Sequence, residues 1–205
     1  CRPVEPDYAI HLRLAARHED LPFGGTDVVE LKLPAEDSVL EMAVSCLGYA
    51  DWGAVECTCL DCKVPQLKEH ITSAVPFETI KQLGDVLTRM PTQNLPAYKA
   101  LIAATECQHV EDALVLAEQL DEHILSSAIA SPEDVAAEEL AVSLSKEDIK
   151  LIRPHINLHT YGQALLASRN SIQTEYGLLE RRDGQPIQSI GQQKQEPRMG
   201  EMELG

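Results

Sequence analysis

The chain opens on an alternation. In "YAIHLRL" (residues 8–14), Ile10, Leu12 and Leu14 are separated by His11 and Arg13, the period of two expected of a strand with one buried face. After the turn-forming "LPFGG", "DVVELKL" alternates again through Val29, Leu31 and Leu33. The period then changes. "PAEDSVLEMAVSCLG" (34–48) has Pro early, acids in its first turn, Val39, Leu40, Ala43 and Val44 at helical spacing and Gly at its end, so the signals that start and stop a helix are both present. "WGAVECTCL" reads as a returning strand. Residues 1–75 are therefore expected to form a small α+β domain, an antiparallel sheet with a helix.

From Pro76 to Ala167 helical periods dominate. "PFETIKQLGDVLTRM" repeats apolar residues at 77, 80, 83, 86 and 87 and stops before Pro91. "LPAYKALIAAT" and "VEDALVLAEQLDEHIL" follow, completing a helical domain over 76–130. "SPEDVAAEEL" offers Ser131 as an N-cap, Pro132 at the first helical position and two acids after it. "SKEDIKLIR" repeats the device with Ser145 and Asp148, and Pro154 ends it. A further helix over 158–168 and two strands around the favoured hairpin turn Asp183-Gly184 complete a third region, 131–190. The polar stretch 191–205 is expected to be a disordered tail.

Composition adds one fact to this α+β outline. The chain of 205 residues has 33 acids against 17 Lys and Arg, a formal charge of −16, and the excess is localised. Residues 106–148 hold 12 acids and one base, a net of −11, whereas residues 149–205 are close to neutral, with 6 acids and 7 bases. Between Lys99 and Lys146 lie 46 residues with ten acids and no Lys or Arg. Such a balance argues against binding nucleic acid or an anionic membrane, both of which need a basic footprint. No apolar stretch approaches the roughly 18 residues of a membrane span and no signal-peptide pattern is read, so a cytoplasmic location is expected.

Taken as one helix, residues 110–124 turn by about 100° each, which places Glu111, Glu118 and Glu122 within roughly 20° of one line, with Asp112 and Asp121 flanking it. Val110, Ala113, Ala117, Leu120 and Ile124 gather opposite. The expected ridge has carboxylates ~10 Å and ~6 Å apart along the axis, a coarse likeness of phosphate charge along DNA. A solvated helix face is the ordinary reading of any one acidic helix. Acids at helix N-termini, here Glu111, Asp112, Glu133 and Asp134, also complement the macrodipole without a partner. Neither accounts for the missing bases, because concentrated like charge destabilises a compact state. In the next acidic segment, Glu138 and Glu139 share their side with Val135 and Val142, and Glu147 and Asp148 follow.

Other chemistry finds little support. The sequence has no EF-hand loop, P-loop, GxSxG or Rossmann fingerprint, and its aromatic content of 4% leaves few rings to line a sugar cleft. No enzyme activity, metal or cofactor is expected. "CTCLDC" (57–62) contains a CxxC, but no second matched pair completes a zinc set. Cys57 and Cys59 fall on one strand face with Cys62 past the strand end, and all three read as partly buried reduced thiols.

The C-terminal half carries a resemblance. "LPAYKALIAATECQHVEDALVLAEQLDEHIL", an acidic helical stretch, and "INLHTYGQALLASRNSIQTEYGLLER", with Tyr161-Gly162 opening a helix and "TEYGLLER" forming a strand, resemble the ArdA-type antirestriction proteins of plasmids and conjugative elements over residues 76–187. The resemblance implies an elongated acidic homodimer that mimics bent B-form DNA, occupies the DNA-binding groove of type I restriction-modification enzymes and catalyses nothing. Its surface would comprise Glu111, Asp112, Glu118, Asp121, Glu122, Glu133, Asp134, Glu138, Glu139, Glu147 and Asp148. The chain departs from a continuous acidic surface at Lys146, Lys150 and Arg153. The alternatives are an acidic interaction module for a basic protein unrelated to DNA, and a metal-dependent protein using Cys57, Cys59 and Cys62.

Overall fold

The computed structural model describes residues 8–16, 28–48, 52 and 55–193. The chain is a mixed α+β protein, with helices in 52% and small antiparallel sheets in 20% of the described residues. The elements follow in the order β1 (Ile10–Ala16), β2 (Val28–Leu33), α1 (Asp37–Cys46), β3 (Val55–Cys62), α2 (Phe77–Arg89), α3 (Leu95–Ala104), α4 (Val110–Glu118), β4 (His123–Ser126), α5 (Pro132–Ser143), α6 (Lys146–Ile152), α7 (Leu158–Arg169), β5 (Ile172–Thr174), β6 (Gly177–Arg181) and α8 (Ile190–Gln193). The turn expected at 21–25 and most of the tail expected from 191 lie outside the described residues.

Two compact units form: Cys1–Leu95 with Gln108–Ala117, and Pro96–Cys107 with Glu118–Gly205. The helical region expected over 76–130 is thus divided between them, with α2 in the first unit and α3 in the second. In the first unit the sheet has the order β2-β1-β3, antiparallel throughout. The alternation read in β1 holds: Ile10, Leu12, Leu14 and Ala16 are buried, and His11, Arg13 and Ala15 take the other face. Helix α2 buries Ile80, Leu83, Gly84 and Leu87, one stripe at helical spacing. Gly84 is the close point, since a Cβ there would stand 3.0 Å from the Leu33 Cβ. Val110, Ala113 and Leu116 of α4 are buried as well.

Cys62 is the last residue of β3 and is buried, not beyond the strand as expected. The register explains it. Leu12 faces Cys59 while His11 faces Asp61, so Leu60 is an extra residue in β3. A bulge of this kind shifts the pleat by one position and returns Cys62 to the face already holding Cys57 and Cys59.

In the second unit, β4, β6 and β5 form an antiparallel sheet in that order. The hairpin turn is Glu175-Tyr176, between Thr174 and its partner Gly177, not Asp183-Gly184. The latter pair closes a separate turn after β6, where Gly184 has φ +71° and its N–H donates to Arg181 O at 3.1 Å. "TEYGLLER" accordingly supplies the turn and β6 together, and the strand itself begins at Gly177. The caps match the sequence more closely. Ser131 and Ser145 accept from the N–H groups of Asp134 and Asp148, and Asn157 caps α7 through Thr160. Helix α7 starts at Leu158, so Gly162 lies inside it. Ile129, Val135 and Leu178 form a buried cluster against Leu165 and Leu166.

Gly162 fixes how α5 and α7 meet. A Cβ built there would stand 1.8 Å from the carbonyl oxygen of Pro132, a backbone atom that cannot swing aside. Gly162→Ala is therefore expected to lower stability by at least ~2 kcal/mol, the usual scale of overpacking. Gly191→Ala, where nothing lies within 4 Å, should stay within about 0.5 kcal/mol. Equal urea midpoints for the two variants would refute the close approach.

Candidate functional site

The acidic segment begins as predicted and then departs from a single helix. Helix α4 carries Glu111 and Asp112 in its first turn and stops at Glu118. Leu120–Glu122 is a 3-10 turn, and His123–Ser126 is strand β4. The helix expected over 110–124 therefore ends six residues early, and Asp121 and Glu122 project from a different local geometry. Tertiary pairing overrides helix propensity: His123 to Ser126 pair with Arg181 to Leu178 of β6. Ile124, placed on the inward side of the expected helix, is 42% exposed, whereas Leu120 is buried. His123 is buried and its Nδ1 lies 3.0 Å from the Gln119 carbonyl.

Three of the acids are answered from the C-terminal part of the chain. The Glu122 carboxylate lies 3.7 Å from Arg181, Glu133 lies 2.9 Å from Nδ1 of His159, and Glu139 pairs with Arg169 and accepts from Ser143 Oγ at 3.1 Å. Arg182 adds backbone ties: its N–H donates to Glu122 O at 2.8 Å and its Nε to Asp121 O at 2.7 Å. The Glu133 carboxyl is held below its ordinary value, first by its own backbone N–H at the start of α5 and then by His159.

Two more acids serve helix starts. Asp134 Oδ2 accepts from Ser131 Oγ at 2.8 Å and from the Ala130 N–H at 3.1 Å. Asp148 Oδ2 accepts from Ser145 Oγ at 2.7 Å. Such reciprocal caps satisfy donors that a helix terminus otherwise leaves open. Asp112 is half-buried and has an interaction of its own.

Five candidates remain exposed with no ion-pair partner among the described residues: Glu111 in the first unit, and Glu118, Asp121, Glu138 and Glu147 in the second. Val142, grouped with Glu138 and Glu139 by the helical wheel, is 82% exposed while Val135 is buried; the apolar residue that the far end of α5 turns inward is Leu140. Helix α6 buries none of its residues, and it carries Lys146 and Lys150 beside Glu147 and Asp148 in sequence.

Sequence reasoning did not anticipate the counter-charges Arg169, Arg181 and His159. The signal available was the near-neutral balance of residues 149–205, which marks a reserve of bases but not where the fold sends them. Arg181 is the busiest of these. It grips Asp183 through two hydrogen bonds, Nε to Oδ1 at 3.0 Å and a terminal nitrogen to Oδ2 at 2.7 Å, and this fork holds the Asp183 carboxyl down at about 2 from an ordinary 3.8. A depressed carboxyl stabilises the fold above its ordinary pKa, and that contribution fades as pH falls from about 4 towards 2. In a carboxyl-detected NMR titration the Asp183 midpoint should lie near 2 and return towards the ordinary range in Arg181→Gln; an unchanged midpoint would exclude the fork as its cause.

The thiols are held away from chemistry. Cys57, Cys59, Cys62 and Cys107 are buried, Cys46 is exposed, and none of these five is in a disulfide. Burial pushes Cys57 up to about 12, helped by the neighbouring Cys59. Burial also raises Cys59 to about 11, with Lys68 opposing. Among the described residues no group of three or more His, Cys, Asp or Glu side chains could hold a metal ion, and no helix is long and apolar enough to cross a membrane. Since thiolate is the reactive form, alkylation of the native protein at neutral pH should modify Cys46 well before Cys57, Cys59, Cys62 or Cys107. Peptide mass mapping reads this directly, and early labelling at Cys57 or Cys59 would contradict their burial.

Compared with models of known protein families and with curated protein sequences, the chain matches none.

Proposed function

We propose that this protein is a DNA mimic of the antirestriction kind, which occupies the DNA-binding groove of a type I restriction-modification enzyme and so blocks access of DNA. The observation that carries the reading is the localisation of charge: residues 106–148 hold a net of −11, and Glu111, Glu118, Asp121, Glu138 and Glu147 stay exposed without a counter-charge among the described residues. The resemblance of residues 76–187 to ArdA-type proteins names the target class, and a cytoplasmic homodimer belongs to the same reading. The mechanism is competition. Lys and Arg side chains that would meet phosphates meet carboxylates instead, and the two ligands exclude each other without any bond being made or broken.

This mechanism distributes affinity. Exposed charge pairs contribute ~0–1 kcal/mol each, so one neutralised acid changes little and several together change much. Screening shortens the reach of such contacts to about 8–10 Å at physiological salt, so the complex weakens as salt rises.

The test is displacement of fluorescent DNA from a type I methyltransferase core at low and moderate salt. The native protein should displace DNA, less effectively at the higher salt. The combined variant Glu118→Gln, Asp121→Asn, Glu138→Gln and Glu147→Gln should lose most of that activity while keeping its thermal midpoint, and each single change should stay within about fivefold. Full displacement by the combined variant would refute the mechanism. Failure of the folded native protein to displace DNA would favour an acidic adaptor for a basic protein unrelated to DNA.

A further inference from the structure

We propose that the first unit contains a binding site for an organic cation with an apolar body, a cavity between α1, the start of α2 and the inner face of the first sheet. Its volume is about 790 Å³, inside the roughly 300–1,000 Å³ typical of small-molecule sites. Leu14 and Leu31 of the sheet and Leu40 of α1 supply apolar wall. Trp52 and Phe77 supply aromatic wall, with ring centroids 4.7 Å apart and planes inclined at 50°. The indole N–H already donates to the Val75 carbonyl at 3.0 Å, so Trp52 offers the cavity a π surface and no unmet donor.

The charge of the lining selects the ligand. Asp37, Glu41, Glu78 and Lys81 contribute three acids and one base. Lys81 is engaged by Asp37, which leaves Glu41 and Glu78 as the net charge over an apolar and aromatic interior. An anion is repelled there, and a neutral apolar molecule gains nothing from the carboxylates. A cation with an apolar body is complemented twice, by the acids and by the aromatic faces, whose negative quadrupoles attract positive charge. Neither Glu41 nor Glu78 belongs to residues 106–148, so this site and the proposed DNA mimicry stand or fall separately.

The protein supplies its own reporter. Trp52 is the single tryptophan of the chain, so its emission follows this cavity alone. The full chain is titrated with phenethylammonium, phenethyl alcohol and phenylacetate, which share a ring and differ in charge. Phenethylammonium should change Trp52 emission saturably, phenethyl alcohol should bind roughly five- to tenfold more weakly, and phenylacetate should give no saturable change. In the double variant Glu41→Gln with Glu78→Gln, the ammonium should lose most of its advantage over the alcohol, keeping only what the Trp52 and Phe77 faces supply, and the alcohol itself should be unaffected, a pattern that unfolding would not produce. No saturable response to phenethylammonium by a natively folded chain would overturn the proposal. So would equal affinity for all three probes, or a cation preference undiminished in the double variant.

Discussion

The pairing of β4 with β6 governs the acidic part of this protein. Residues 119–126 have a sequence that continues an amphipathic helix, yet four of them are drawn into a ladder with Leu178–Arg181. A ladder bond satisfies the same backbone groups as a helical one, so the choice is made by side chains: Leu178 and Leu179 are buried in the second unit's sheet and need a strand beside them. Two consequences follow from that one contact. Helix α4 ends at Glu118, and Arg181 and Arg182 arrive next to Glu122 and Asp121.

Negative charge in residues 106–148 is therefore handled in three ways. Some acids are neutralised at a distance in sequence, as Glu122, Glu133 and Glu139 are. Others are consumed by helix starts, as Asp134 and Asp148 are. Asp112 is half-buried with an interaction of its own, and the rest face solvent. Formal charge overstates what an approaching molecule meets, because the first two groups have part of their field directed inward. The residual set, Glu111, Glu118, Asp121, Glu138 and Glu147, is smaller than the sequence implies, and none of its members has an ion-pair partner among the described residues.

Local signals were legible in the sequence, and long-range ones were not. The strands around Leu12 and Leu31, the stripe of α2, and the caps at Ser131 and Ser145 depend on residues a few positions apart, where period and side-chain chemistry suffice. The bulge at Leu60 changes parity, and nothing in "CTCLDC" announces an extra residue until β1 is placed beside it. The hairpin follows the same rule: Asp183-Gly184 has the composition of a tight turn and does form one, but Glu175-Tyr176 sits where the register of β5 and β6 requires the reversal. Localisation of the acids was evident from counting. Which of them would find Arg169, Arg181 or His159 depended on the packing of α7 and β6, and the cavity beside Trp52 depended on residues from Leu14 to Lys81 meeting in three dimensions.

The two units are threaded through one another in sequence. The core of the first includes Val110, Ala113 and Leu116, which the chain reaches only after it has already supplied α3 to the second. On the ribosome the first unit thus remains incomplete until residues beyond α3 have emerged, and part of the second is made before the first is finished. Neither corresponds to one continuous stretch of gene. A single recombination point cannot transfer either of them without carrying part of the other.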